Sequence, residues 1–275
     1  MEEQYDPNAA YGRNGGAPAD IAGRNARSEL TEEYEIHSYE MDSVGRMSVI
    51  SLCNMFQDAA GKHAGVLGVS VHELLKDNCT WMLSRLSLNV GRYPMWGEKI
   101  KVKTWPFGID RLFALRAFSF MDGGGKTFGD AVTAWLLINT KTRRPVRIRK
   151  YLKERSSLFD EEVPDGAPVK IDDVEDCESG RPFTVRYSDI DVNQHVNTTS
   201  YIEWMIEGAP RDVLESGSVG HLDVNFLSEA FYGDRVISAC SPDKEAPGTL
   251  LHSIRRERDG SELTRGRTEW QSYGD

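Results

Sequence analysis

The chain reads as an α+β protein built from two copies of one unit. Three observations predict this class. Two separated stretches repeat each other at a fixed offset, each copy carries a helical apolar stripe, and each stripe precedes strand-length runs joined through Gly-containing turns.

Residues 1–27 carry Glu2, Glu3 and Asp6 and then a Gly/Asn/Ala/Pro mixture, and they read as a flexible leader. The first unit follows over 28–155. Laying 35–60 over 184–209 without a gap pairs Ile36 with Val185, Glu40 with Asp189, Met41 with Ile190 and Asp42 with Asp191. Each block passes from a short strand through a polar loop into an amphipathic helix. In the first helix Leu52, Met55, Phe56 and Ala59 recur at i, i+3, i+4 and i+7. In the second, Tyr201, Trp204, Met205 and Gly208 do the same before Pro210 disturbs the helix.

A second block, 86–100 over 222–236, pairs Leu86 with Leu222, Asn89 with Asn225, Trp96 with Tyr232 and Gly97 with Gly233. The change of offset between the blocks gives the first copy extra residues within 61–85. Further strands at 112–120 and 251–258 lead through turns at 122–125 and 259–260 to runs containing Thr133 and Trp135, and Thr268 and Trp270. Such a helix buries its stripe by lying in its own sheet. Residues 156–181, rich in Asp, Glu, Pro and Gly, read as a linker, and the second unit occupies 182–275.

A net charge of −10 argues against nucleic acid as a partner, because phosphate binding needs a basic face. Cys53, Cys79, Cys177 and Cys240 stand far apart, which excludes the usual zinc and dithiol spacings and fits a reducing compartment. No secretory signal and no run near the length of a membrane span is present, so a cytoplasmic protein is expected. The sequence leaves room for a homodimer.

The informative positions are those where the copies differ. The second copy has DVNQH at 191–195 where the first has DSVGR at 42–46, and Glu229 where the first has Tyr93. A duplicated fold needs its packing twice but an active site once, so Asn193, His195 and Glu229 mark the second copy as the catalytic one. A polar turn ahead of a helix would also use Asp and Asn. A calcium loop starting at Asp189 fails, since its sixth position is Gln194 and its twelfth Ser200. The G-x-S-x-G elbow and the phosphate loop are absent.

The run RYSDIDVNQHVNTTSY at 186–201 resembles the active-site segment of the plant and bacterial acyl-acyl-carrier-protein thioesterases. WMLSR at 81–85, YPMWG at 93–97, TWP at 104–106, and Trp135 followed by RRP at 143–145 extend the resemblance over about residues 30–271. It implies a tandem hot-dog fold and release of fatty acids from acyl carrier protein with no metal or organic cofactor. It also implies catalytic roles for Asp191, Asn193, His195 and Glu229. Many plant members have a Cys after that Glu; here it is Ala230, which removes a Cys–His mechanism at that position.

Hydrolysis needs an activated water, a stabilised oxyanion and a proton for the leaving thiol. Glu229, among Phe226, Phe231 and Tyr232, is the expected base that activates water, the more so if that neighbourhood is dry, with direct nucleophilic attack as the alternative. His195 holds the water or protonates the sulfur, Asn193 donates to the carbonyl or water, and Asp191 orients them. Backbone N–H groups near 197–200 are expected to complete the oxyanion site. Met47, Met55, Phe56 and Trp81, with Val66, Leu67, Leu74 and Leu75 of the extra segment, are the expected walls of an acyl tunnel. KTRRPVRIRK at 141–150, with Arg143, Arg144, Arg147, Arg149 and Lys150, is the expected docking patch for the acidic carrier. An acyl-coenzyme A thioesterase and a non-catalytic lipid-binding protein are the rival readings.

Overall fold

The computed structural model describes residues 29–152, 167–174, 180–191 and 194–272. The expected leader over 1–27 lies outside the described residues, as do Asn193, Cys177 and most of the expected linker.

The first unit runs β1 (Leu30–Glu35), α1 (Val49–Val66), α2 (Val71–Leu75), β2 (Cys79–Val90), β3 (Lys99–Asp110), β4 (Phe113–Asp122) and β5 (Thr127–Asn139). A two-residue strand β6 (Arg144–Pro145) and a short helix α3 (Ile148–Leu152) follow. The second runs β7 (Gly180–Thr184), α4 (Thr198–Glu207), α5 (Arg211–Ser216), β8 (Gly217–Phe226), β9 (Arg235–Pro242), β10 (Thr249–Arg256) and β11 (Glu262–Ser272). The strands form one sheet in the order β1-β3-β4-β5-β2-β8-β11-β10-β9-β7, with β6 on β5. That order is a palindrome of equivalent strands, so the duplication is visible in the topology. The halves join where β2 pairs antiparallel with β8, and Ser87 opposite Asp223 is the central pair.

Each long helix lies against the sheet of its own half, which is the tandem hot-dog arrangement. Ser48 caps α1 by accepting from the Ser51 N–H at 3.1 Å. The buried stripe of α1 includes Leu52, Met55, Phe56 and Ala59, and Phe56 packs on Phe118 of β4 at 4.9 Å. In α4 the stripe is Tyr201, Trp204 and Met205, with Trp204 stacked on Phe183 of β7. The helix stops at Gly208, and Pro210 caps α5 instead of continuing it. The Met205 thioether lies over Gly266, where a Cβ would stand 2.2 Å from its sulfur and push that side chain aside. A single hydrophobic cluster spans both halves.

The linker differs from expectation in two ways. Strand β7 begins at Gly180, two residues inside the expected linker, because its backbone pairs with β9 there. Residues 167–174 are not a free connector. Asn225 of β8 accepts from the Ile171 N–H at 2.8 Å and donates to the Val169 carbonyl at 3.0 Å, while Asp173 meets Arg265 of β11. They form a strap beside the seam between the halves. No helix among the described residues is long and apolar enough to cross a membrane.

Candidate active site

The loop before each long helix is built the same way in both halves. In the second, the Asp191 N–H donates to the His195 carbonyl at 2.9 Å, and Ile190 bridges Val196. In the first, Asp42 donates to Arg46 at 2.7 Å, and Met41 bridges Met47. The acidic side chains close these loops too: Asp42 Oδ1 accepts from the Arg46 N–H at 2.9 Å, and Asp191 Oδ1 faces the His195 N–H at 3.5 Å. The aspartate therefore builds the loop in both halves. Gly45 takes the left-handed conformation with φ +84°; its equivalent Gln194 does so at +63°, where a side chain is strained.

His195 and Glu229 meet across this loop. Nδ1 of His195 lies 3.5 Å from Oε1 of Glu229, and both side chains are about a quarter exposed. Phe231 abuts the imidazole edge-on with ring centres 5.4 Å apart. The Glu229 carbonyl accepts from Arg256, and the next N–H, of Ala230, donates to the Tyr201 hydroxyl at 2.8 Å. In the first half Tyr93 replaces Glu229 and its hydroxyl donates to the Val219 carbonyl at 2.8 Å, which ties that position down.

The surroundings of Glu229 are not dry and apolar. Tyr232 and Phe231 are exposed, and the guanidinium of Arg143, from the turn between β5 and β6, donates to Oε2 of Glu229. The N–H groups at the start of α4 are largely taken. Asn197 donates to the Asp189 carbonyl at 2.8 Å, Thr199 to the Asn197 side chain at 3.1 Å, and Ser200 to the Asn197 carbonyl at 3.0 Å. Capping thus removes three of the expected oxyanion donors.

His195, Asp191 and Glu229 stand at one side of a cleft of about 880 Å³. Its walls come chiefly from the first half: Ala60, Gly61 and Ala64 of α1, then Leu67, Val69, Val71 and Leu75, then Trp81 and Leu83 of β2. The extra segment of the first copy therefore lines the cleft, and the Trp81 indole N–H donates to the Val69 carbonyl at 2.9 Å. Of the expected wall residues, Trp81, Leu67 and Leu75 face the cleft. Met47, Met55 and Phe56 do not; they pack in the common core, as the apolar stripe of α1 requires. Leu74 is buried in a satellite cluster, and Val66 is half-exposed and outside the lining.

Several site features were missed from sequence. By sequence Arg143 reads only as part of the basic run at 141–150. Its neighbours Arg144, Arg147 and Arg149 are exposed on β6 and around α3, which also holds Lys150. Arg116 of β4 lines the cleft with its Nη1 bonded to Nδ1 of His63 at 3.0 Å and to the Thr104 hydroxyl at 3.1 Å. Burial lowers Arg116 to about 10, and burial with the Arg116 charge lowers His63 to about 4. The visible signal was an Arg amid the apolar run FALRAFSF of β4.

Comparison with known proteins gives one consistent answer. The model of the acyl-ACP thioesterase N-terminal domain matches residues 27–155, and that of the C-terminal domain matches 173–272. A chloroplastic acyl-[acyl-carrier-protein] hydrolase of Cuphea viscosissima is 30% identical over 87% of this chain and 62% of its own length. A chloroplastic palmitoyl-acyl carrier protein thioesterase of Arabidopsis thaliana is 30% identical over 88% of this chain and 63% of its own. The chain thus spans under two thirds of these curated relatives. Among solved structures, an acyl-ACP thioesterase from Bacteroides thetaiotaomicron superposes with a TM-score of 0.78 at 29% identity, covering 90% of this chain and 98% of that one. The 12:0-ACP thioesterase from Umbellularia californica gives the same TM-score at 26% identity over 89% and 97%.

Proposed function

The chain belongs to the acyl-ACP thioesterase family, and we propose that it hydrolyses fatty acyl thioesters of acyl carrier protein to the free acid and the carrier thiol. The observation that carries this reading is the meeting of His195 and Glu229 at 3.5 Å on the rim of a cleft walled by apolar residues of the other half.

In this mechanism the acyl chain lies in the cleft with the thioester carbonyl beside His195. Glu229 takes a proton from a water, the water oxygen bonds to the carbonyl carbon, and the tetrahedral intermediate expels the thiolate. His195 gives the leaving sulfur a proton and regains one from Glu229, so the proton taken from the water ends on the thiol. Asn193 is assigned the donor to the carbonyl oxygen. Asp191 serves by shaping the loop that presents His195, as Asp42 shapes its inert counterpart. The net charge of −10 argues against nucleic acid as the partner, and an acidic carrier would be met through a local basic patch despite it. The reading is tested by assaying the protein on acyl carrier proteins of graded chain length and on the matching coenzyme A esters. Turnover with the carrier esters preferred is expected. Inertness toward all of them overturns it.

A further inference from the structure

We propose that Arg143 of the first half is a positioning residue for Glu229 of the second, so that the reacting pair is completed across the two halves. The inference rests on the hydrolase reading above.

Arg143 sits in the tight turn joining β5 to β6. Asn139 locks that turn: its side-chain oxygen accepts from the Lys141 and Thr142 N–H groups at 3.1 and 2.9 Å, and its carbonyl from Arg143 at 2.8 Å. Within it Arg143 has φ +57°, a conformation that strains any residue but Gly. The guanidinium reaches the Oε2 atom of Glu229, 86 positions along the chain.

The two carboxylate oxygens are thereby divided between two tasks. Oε2 is held by Arg143, and Oε1 is left facing Nδ1 of His195. Arg256 fixes the same residue from behind through its carbonyl. Arg143 is 57% exposed, and an ion pair so open to water adds little to stability. What the pair does fix is the rotation of the carboxylate, and a misaligned base loses most of its advantage. The first half, with Tyr93 at the equivalent place, has no carboxylate to orient.

The test compares wild type with Arg143→Ala and Arg143→Gly on an acyl carrier protein ester and on an acyl pantetheine ester that lacks the carrier. The Gly variant relieves the positive φ and keeps the test sound should the Ala variant lose stability. Positioning predicts a kcat lower by about a hundredfold on both esters, KM nearly unchanged and a Tm close to wild type. It further predicts partial recovery of kcat in Arg143→Gly on adding methylguanidinium. A rise in KM for the carrier ester alone, with kcat kept, overturns the proposal and assigns Arg143 to carrier docking. An unchanged kcat, or a loss that follows Tm and resists methylguanidinium, overturns it too. A wild-type protein inert on both esters overturns the hydrolase reading itself, and this inference with it.

Discussion

Nδ1 of His195 and Oε1 of Glu229 face each other at 3.5 Å, at the outer limit of hydrogen-bond contact. His195→Ala and Glu229→Ala should each lower kcat by about a hundredfold or more and leave far-UV circular dichroism unchanged. Both side chains stand at the cleft rim, so their removal opens no core cavity. Near-normal turnover in either variant would remove these two residues from the mechanism.

Among the described residues no cysteine lines the cleft where His195 and Glu229 stand. Ala230 follows Glu229 and is fully buried, while Cys53 lies in the core of α1 with its thiol pushed well above the usual range by burial. Replacing Cys53 by Ala and Cys79, Cys177 and Cys240 by Ser should leave kcat within about threefold of wild type. The measurement is turnover of the purified, folded variant; abolished activity would show that a thiol is required.

The duplication was legible because packing repeats: the stripes of α1 and α4 and the glycines Gly97 and Gly233, both with positive φ, recur at equivalent places. His195 and Glu229 were legible because they break the repeat. Contacts between distant parts of the chain were not. Nothing local to Arg143 shows that its turn aims it at Glu229 instead of at solvent, and nothing local to Asn225 shows that it binds the strap at 167–174. Met55 and Phe56 illustrate the converse. An apolar helical stripe has the same appearance whether it faces a core or a cavity, and here α1 turns Ala60, Gly61 and Ala64 to the cleft instead. Small residues make the space; large ones fill the core.

Chain-length preference should therefore respond to those small residues. Ala64→Phe would project an aromatic ring into the cleft and exclude the end of a long chain. The expected result is a drop of about tenfold or more in kcat/KM for the longest accepted acyl carrier ester, with the shortest little affected. Met47→Leu, a core substitution of similar volume, should leave the profile in place. A profile that moves with Met47→Leu and not with Ala64→Phe would place the chain elsewhere.

His252 of β10 gives a pH dependence of stability. Burial holds its pKa down to about 3, against 6.5 for the unfolded chain. Between those values the unfolded chain binds the extra proton, so the stability due to the neutral ring is whole above pH 6.5 and is lost as pH falls toward 3. The slope is about 1.4 kcal/mol per pH unit within that window. His252→Gln keeps a polar group to hydrogen-bond the Thr268 hydroxyl, 2.8 Å from the present Nε2, but cannot titrate. Urea unfolding of this variant at pH 7 and pH 5 should show a stability loss smaller than wild type by roughly 1–2 kcal/mol. The lowered His63 remains as a shared background. Equal losses in the two proteins would exclude His252 as a source of the dependence.

The last prediction concerns how a protein of net charge −10 meets an acidic carrier. Arg143 is engaged by Glu229, and the same basic run carries exposed Arg144 on β6 and exposed Arg147 just before α3. Ile148 next to Arg147 is fully buried and anchors this segment to the satellite core of the first half, so the arginines stand on a fixed surface. Complementary charge of this kind speeds encounter and is screened by salt. Arg144→Glu with Arg147→Glu should raise KM for an acyl carrier protein ester about tenfold at low salt, with the difference shrinking as salt is added. The same variant should treat a short uncharged acyl thioester as wild type does, because neither residue lines the cleft. Because Arg143 is left intact, this variant separates docking from the orientation of Glu229. Equal effects on both substrates, or none on either, would move the docking surface to another face.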